Sequence, residues 1–154
     1  MQKKFEWIVL IGAVFVLGRS YVHTKYDKLI KEIAERHGNN WHLVKAIINV
    51  ESDFRPAAHN LSTKEDSRGL GQINAPTAIA LGYINLDDLF DPETNIEAMN
   101  KLLIDIKKRY SGTLDIIATY NAGRVRKDTQ GFYINSQYVF KVYSYFLSYS
   151  ILDI

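Results

Sequence analysis

The spacing of apolar residues is the feature that most constrains how this chain can fold. From Tyr26 almost to the end of the sequence, apolar side chains recur every three or four residues, which is the period of an amphipathic helix. No segment alternates apolar and polar residues as a half-buried strand does, and there is no internal repeat. The pattern therefore predicts a mostly α-helical domain.

Residues that begin and end helices set the expected boundaries. Asp91-Pro92-Glu93 is typical of a helix start, because proline fits the first turn and acidic residues favour the positive end of the helix dipole. Gly38 and Gly123 are typical of helix ends. The predicted helices cover residues 26–38, 41–52, a short segment after 76, 91–109, 114–121 and 136–149. Residues 57–68 are polar and are predicted to form a loop.

Length, charge and composition exclude several classes of protein. The 154 residues predict a single domain that can bury a core without disulfides. A net charge of +2, from 19 basic and 17 acidic residues, argues against nucleic-acid binding. The chain has no cysteine, which excludes disulfides, thiolate metal sites and cysteine nucleophiles. His23, His37, His42 and His59 lack metal-binding spacing, so we expect no metal and no cofactor.

The N-terminus differs from the rest of the chain. A basic start precedes an apolar block from Trp7 to Gly18. As a helix this block spans about 18 Å, short of the roughly 30 Å of a bilayer core, so it suits a signal peptide cleaved after Ser20. The alternatives are an uncleaved signal anchor and, less favoured because the block is apolar on all sides, a buried helix. We therefore predict a signal peptide or anchor over residues 1–24 and a folded domain over 25–154.

Glu51 is the residue that the pattern singles out for chemistry. It follows Val44, Ile47 and Ile48 at helical spacing and so lies on the apolar face of its helix. A carboxyl group there is partly desolvated, which raises its pKa and lets it act as a general acid near neutral pH. The alternative is a helix-end glutamate exposed to solvent. The polar, glycine-containing segment that follows favours a cleft wall over this alternative.

Three further segments carry groups suited to a carbohydrate. Gly69-Leu70-Gly71-Gln72-Ile73-Asn74 combines glycines, which allow close backbone approach, with the amide of Gln72, which both donates and accepts hydrogen bonds. Thr119-Tyr120-Asn121-Ala122-Gly123 places two polar side chains at a helix end. The last helix, which includes Tyr138, has more aromatic rings than a core needs, and rings pack against sugar faces. The structural alternatives are a turn, a helix C-terminus and helix packing.

These segments, taken in order, resemble the catalytic domain of the soluble lytic transglycosylases in the lysozyme-like superfamily. The segments that carry the resemblance are Glu51-Ser52-Asp53-Phe54-Arg55-Pro56, Gly69-Leu70-Gly71-Gln72-Ile73, Asp91-Pro92-Glu93-Thr94-Asn95-Ile96, Thr119-Tyr120-Asn121-Ala122-Gly123 and Tyr138-Val139 with Lys141-Val142. The resemblance covers residues 26–148. It implies that the apolar segment is followed by a two-lobed, mostly helical, lysozyme-like domain with a substrate cleft, so that residues 25–154 form the catalytic domain.

The resemblance also implies a reaction. Its substrate is peptidoglycan, cut at the β-1,4 bond between N-acetylmuramic acid and N-acetylglucosamine. Glu51 matches the catalytic glutamate of the family, which protonates the glycosidic oxygen and then acts as base on the muramyl 6-hydroxyl to give a 1,6-anhydro end. One carboxyl group suffices for this chemistry, whereas glycoside hydrolases usually use two. Asp53 is too close to Glu51 in sequence to be assigned as an opposed partner.

Other residues receive roles from the same resemblance. Substrate contacts fall on Gln72, Tyr120, Asn121 and Tyr138, and supporting roles on Ser52, Gly69 and Gly123. Gly71 departs from the family pattern, which commonly has methionine there, and we expect the loss of an apolar contact to loosen the cleft floor. Thr119 stands in place of the usual alanine, and Asn135-Ser136 in place of a Thr-Arg pair.

The length bears on partners and location. No wall-binding repeat or accessory domain fits in 154 residues. In this small size the chain resembles secretion-associated, conjugation-associated and phage-encoded transglycosylases. We expect peptidoglycan strands as the substrate, one of those machines as partner, and export to the periplasm or envelope. The alternative locations are the inner membrane, if the segment from Trp7 to Gly18 anchors the chain there, and the virion, if the chain is encoded by a phage. Three other functions stay open: a goose-type muramidase that uses water, a non-catalytic peptidoglycan-binding or assembly protein on the same fold, and a membrane-anchored interaction protein, which rests only on the apolar block from Trp7 to Gly18.

Overall fold

The computed structural model describes residues 24–63 and 65–152. The apolar block from Trp7 to Gly18, on which the predicted signal peptide or anchor depends, lies outside the described residues. Within the two described ranges, no helix combines the length and apolar character that crossing a bilayer requires.

Helices dominate the described part of the chain, which confirms the predicted fold class. They are α1 (Asp27–Arg36), α2 (Trp41–Ser52), α3 (Ala75–Ala80), α4 (Pro92–Lys107), α5 (Thr113–Ala122) and α6 (Ser136–Leu152), with a 3-10 helix over Leu86–Phe90. Three short strands, β1 (His59–Leu61), β2 (Asp66–Arg68) and β3 (Ile73–Asn74), lie between α2 and α3.

Side-chain caps explain where several helices begin. The side chain of Asn40 accepts hydrogen bonds from the backbone at the start of α2, and Asn74 does the same for α3. Asp91 accepts from the backbone N–H of Thr94 at 2.9 Å, with Pro92 in the first turn of α4, as the sequence predicts. Gly123 ends α5 in the left-handed conformation, with φ of 72°.

The strands contradict the prediction of a loop over residues 57–68 and of no strand in the domain. β1 and β2 form an antiparallel hairpin with His59 opposite Arg68, and β3 adds to β2 with Ser67 opposite Asn74. The prediction was wrong because each strand has only two or three residues, and all three in β1 are exposed, so no alternation of apolar and polar residues arises.

The core positions the last turn of α2 beside α6. The apolar face predicted for α2 is fully buried, and α2 packs along α6 and against α1. Lys45 is also buried, with its ammonium group 2.9 Å from the Asp27 carboxylate of α1 and 4.6 Å from the ring centroid of Tyr149 of α6. This pairing compensates the burial of a charge and ties the three helices together.

Candidate active site

Glu51 lies in the last turn of α2, half-buried at the edge of the apolar face, as its spacing predicts. The hydroxyl of Tyr138, from the first turns of α6, donates a hydrogen bond to its Oε1 at 2.6 Å. The packing of α2 along α6 therefore brings together two residues that the sequence analysis assigned to separate motifs.

The pKa of Glu51 is raised from its usual value to about 7, and burial is the main cause. The hydrogen bond from Tyr138 acts in the opposite direction, because it stabilises the carboxylate. The negative charge of Glu65 raises the pKa further. Near neutral pH the carboxyl group is therefore able both to give and to take a proton, which suits a residue that acts first as acid and then as base.

A cavity of about 300 Å³ opens beside this carboxyl group. It is lined by polar residues from α2, the β1–β2 hairpin, the turn into α3 and α5: Glu51, Asn60, Glu65, Ser67, Gln72, Asn74, Tyr120 and Asn121. A smaller cavity of about 90 Å³ shares four of these residues and continues the cleft toward α4. Three of the predicted substrate-binding residues thus line one cavity with Glu51. The fourth, Tyr138, contacts Glu51 directly.

The side-chain amide of Gln72 is held in place by two hydrogen bonds to the backbone. Its Nε2 donates hydrogen bonds to the backbone oxygens of Ala58 and Gly69, both at 3.0 Å. Its Oε1 makes no hydrogen bond to another described residue, and Gln72 lines the cavity. Gly69 has a φ of 75°, and a Cβ there would lie 2.1 Å from the backbone oxygen of Leu89, so the turn requires glycine.

Asn95 is a positioning residue whose role was not predicted, although it lies in one of the segments that carry the family resemblance. It is fully buried on α4, its Oδ1 accepts from the backbone N–H of Gly71 at 2.7 Å, and its Nδ2 donates to the backbone oxygens of Arg68 and Leu89. The signal was an asparagine on the apolar stripe of the helix, one residue before Ile96. A polar side chain there needs buried partners, and here they are the backbone of the glycine turn.

The expectation that Gly71 loosens the cleft floor is wrong. A Cβ at position 71 would lie 2.3 Å from Sδ of Met99, a fully buried residue of α4 that fills this space. The same Cβ would lie 2.8 Å from the hydroxyl of Tyr120, which donates to the backbone oxygen of Gly71 at 2.9 Å. A methionine is therefore present in the floor, but it comes from a different helix.

The two tyrosines of the site are hydrogen-bond donors and not acids. Burial and the nearby negative charge of Glu51 raise the pKa of Tyr120 and of Tyr138 well above the ordinary value. Both phenols therefore stay protonated at neutral pH, and their hydroxyl groups bond the Gly71 backbone and the Glu51 carboxyl group, respectively.

The remaining predicted residues lie around the cavity. Oδ1 of Asn121 accepts from Nδ2 of Asn135 at 2.9 Å, and this amide also donates to the backbone of Ala118, which joins α5 to the start of α6. Ser52 is buried, and its Oγ donates to the Ile48 backbone oxygen within its own helix. In the described ranges, no cluster of three or more His, Asp or Glu side chains is arranged to hold a metal ion.

Fold and site together define a class of protein: a mostly helical domain whose cleft holds a glutamic acid of raised pKa among hydroxyl and amide groups. The family model described as "Transglycosylase SLT domain" matches residues 28–138. The chain therefore belongs to the Transglycosylase SLT domain family, as the resemblance of its motifs implies.

Curated relatives carry related names. The chain is 32% identical over 106 residues to "Membrane-bound lytic murein transglycosylase F" of Desulfosudis oleivorans, a match that covers 64% of this chain and 22% of the relative. It is also 32% identical over 115 residues to "Membrane-bound lytic murein transglycosylase C" of Photorhabdus laumondii, covering 64% and 31%. The chain thus spans less than a third of the length of these relatives.

Solved structures show the same fold. The 70-kDa soluble lytic transglycosylase of Escherichia coli superposes with a TM-score of 0.69 at 24% identity, over 83% of this chain and 24% of that one. A complex of the 70-kDa soluble lytic transglycosylase with bulgecin A gives a TM-score of 0.68 at 22% identity, over 84% and 24%. At these identities the likeness is one of fold.

Proposed function

We propose that this domain is a peptidoglycan lytic transglycosylase. It cleaves the β-1,4 bond between N-acetylmuramic acid and N-acetylglucosamine and leaves 1,6-anhydromuramic ends. The observation that carries the proposal is the half-buried Glu51 carboxyl group, whose pKa is about 7 and which lines a polar cavity under a hydrogen bond from Tyr138. Membership of the SLT family and the names of the relatives support it.

In the first step, protonated Glu51 gives its proton to the glycosidic oxygen as the bond to the anomeric carbon breaks. The electron pair of that bond stays on the leaving oxygen, which becomes the free 4-hydroxyl of N-acetylglucosamine. Positive charge develops on the anomeric carbon and ring oxygen of the muramyl residue. The Tyr138 hydroxyl stabilises the new Glu51 carboxylate through its hydrogen bond.

In the second step, the Glu51 carboxylate takes the proton of the muramyl 6-hydroxyl. The oxygen of this hydroxyl bonds to the anomeric carbon and closes the 1,6-anhydro ring, so Glu51 is protonated again and no water is consumed. A pKa near 7 suits both steps, because neither the acid nor the base form is costly to reach at neutral pH.

The other groups of the cavity orient the glycan. Oε1 of Gln72 accepts from a sugar hydroxyl or an acetamido N–H, and Asn121 adds an amide at the end of α5. Tyr120 closes the floor of the cavity through its bond to Gly71. Because the amide of Gln72 and the hydroxyl of Tyr120 are already tied to the backbone, they lose little freedom when substrate binds.

We also propose that the chain acts in the cell envelope, where its substrate lies. The relatives named as membrane-bound support this location. The apolar block before the domain supplies the export or anchoring segment in this proposal. Association with secretion, conjugation or virion machinery stays a prediction.

The test is analysis of the muropeptides released from purified peptidoglycan by the full chain. We expect products lighter by one water that carry 1,6-anhydro ends, and a loss of activity of at least about a hundredfold in Glu51→Gln. Asp53→Asn is the matched control, since Asp53 is exposed just after α2 and does not line the cavity, and it keeps full activity. Reducing ends would support the muramidase, and binding without Glu51-dependent products would support the non-catalytic alternative.

A further inference from the structure

Glu65 is a second carboxyl group in the cavity that holds Glu51. It lies in the turn between β1 and β2, where its backbone N–H donates to Oγ of Ser62 at 3.1 Å and its backbone oxygen accepts from the Ser62 N–H at 2.7 Å. Its Oε1 accepts from Oγ of Ser67, a buried residue of β2, at 3.1 Å. The hairpin therefore holds this side chain at the cavity wall.

No lysine or arginine lines the cavity among the described residues. Among the described residues, the titratable groups that interact with Glu51 are Tyr138 from α6, Tyr120 from α5 and Glu65 from the hairpin. The hairpin does carry basic residues, but Arg68 bonds Asp66 and Asp87, and His59 bonds Asp66. Within the described ranges no ion pair involves Glu65, and its negative charge acts on the Glu51 carboxyl group.

A negative charge in this place has a chemical use. While Glu51 is protonated it is neutral and offers no charge to a cation beside it. As the glycosidic bond starts to break, positive charge grows on the sugar ring before the Glu51 carboxylate is fully formed. A fixed charge that faces this ring lowers the energy of the transition state without any reorganisation.

We propose that Glu65 is a second functional carboxylate of the cleft, which stabilises the positive charge that develops on the muramyl ring as the glycosidic bond breaks. The inference rests on the proposed function. Glu65 itself forms no bond in this step. The proton moves from Glu51 to the leaving oxygen, and the electron pair of the broken glycosidic bond stays on that oxygen. The same charge disfavours ionisation of Glu51 and so keeps the acid ready.

The test compares wild type, Glu65→Gln and Glu65→Asp on soluble glycan strands prepared from peptidoglycan. In Glu65→Gln we expect kcat to fall about tenfold, a modest loss because Glu65 is exposed and solvent screens its charge, with KM nearly unchanged. The alkaline limb of the kcat/KM profile moves to lower pH, because the pKa of Glu51 falls. Glu65→Asp keeps the charge and recovers most of kcat and the position of the limb.

Controls separate this role from a structural one. Glutamine still accepts the Ser67 hydrogen bond, so a hairpin role alone would leave both kcat and the alkaline limb of Glu65→Gln unchanged, which would overturn the proposal. Glu32→Gln, an exposed change on α1, controls for net charge and stays like wild type. If Glu65→Gln lost only the products that carry reducing ends, Glu65 would be the base that activates water, and this result would also overturn the proposal.

The outcomes distinguish this inference from the function on which it rests. If wild type releases Glu51-dependent anhydro products and Glu65→Gln matches it in rate and pH profile, only the role of Glu65 fails. If wild type releases no such products, the proposed function fails and this inference fails with it. Thermal unfolding of each variant verifies that the fold is kept.

Discussion

The hydroxyl of Tyr138 lies 2.6 Å from Oε1 of Glu51 and joins residues that are 87 positions apart in the sequence. This bond links the last turn of α2 to the first turns of α6. It opposes the effect of burial on the pKa of Glu51, and burial is the larger of the two. The tyrosine therefore moderates an acid that would otherwise hold its proton more tightly.

Tyr138→Phe removes this moderation. We expect the pKa of Glu51 to rise, so that the alkaline limb of kcat/KM moves to higher pH, and kcat to fall by about tenfold or more because the carboxylate formed in the first step loses a donor. The measurement is the pH dependence of both constants. Tyr143→Phe, on the same helix and half-buried, leaves both unchanged. A limb that stays in place in Tyr138→Phe would disprove this role.

The raised pKa of Glu51 also predicts how stability depends on pH. The folded value of about 7 lies above the unfolded value, so the folded state binds this proton more tightly and its contribution is complete below about pH 4.5. The contribution is lost as pH rises through about 7, at a cost of up to about 3 kcal/mol. Denaturant unfolding of wild type and Glu51→Gln at several pH values measures it.

Glu51→Gln does not titrate and therefore provides the reference. The variant should gain stability relative to wild type between mildly acidic and alkaline pH, and the two free energies of unfolding should run parallel at lower pH. A constant difference across the whole range would mean that the carboxyl group has the same pKa in the folded and unfolded states.

Gly71 and Met99 predict a coupled pair of substitutions. Gly71→Ala places a Cβ against Sδ of Met99 and the hydroxyl of Tyr120, and we expect a loss of about 1–3 kcal/mol in unfolding free energy. Met99→Ala leaves a cavity and costs about 2–5 kcal/mol. The double variant should lose clearly less than the sum, because each change relieves the other. Gly112→Ala, whose Cβ has no neighbour closer than 3.5 Å, is the control. Simple additivity would show that Met99 does not fill the place beside Gly71.

Asn95→Ala tests the support of the glycine turn. It removes the side-chain partner of the buried Gly71 N–H and of the Arg68 and Leu89 backbone oxygens, so we expect a loss of about 2–4 kcal/mol and a rise in KM as the turn that holds Gln72 loosens. Denaturant unfolding and steady-state kinetics measure the two effects. Glu93→Gln, exposed on the first turn of the same helix, serves as the control and stays within about 0.5 kcal/mol. A stability equal to wild type in Asn95→Ala would contradict this account.

The sequence predicts those parts of the fold that depend on local spacing. The stripe of α4 and its start at Asp91 and Pro92 are visible because caps and apolar periodicity are properties of neighbouring residues. The place of Glu51 is predictable for the same reason, since Ile47 and Ile48 fix which face of α2 is buried. The β1–β2 hairpin is not predictable from local spacing, because its strands are short and it is held by polar contacts around Asp66.

Other parts of the site arise only when distant segments meet. Glu65 enters the cavity because the hairpin carries it there, and no period in the sequence marks it. Asn95 and Met99 contact the glycine turn although they lie 24 or more residues from it in the sequence. Their neighbours Ile96 and Leu103 occupy similar positions on the buried side of the helix, but they contribute only to the core. The sequence therefore shows which residues are buried, but not which buried residues support the cleft.

The most direct test of the central claim is digestion of peptidoglycan in water enriched in heavy oxygen. If Glu51 closes an anhydro ring with the muramyl 6-hydroxyl, the muramyl ends released by wild type contain no oxygen from solvent, and Glu51→Gln releases almost none of them. Incorporation of one solvent oxygen at each new muramyl end would contradict the account, because it would show that water, and not the sugar itself, attacks the anomeric carbon.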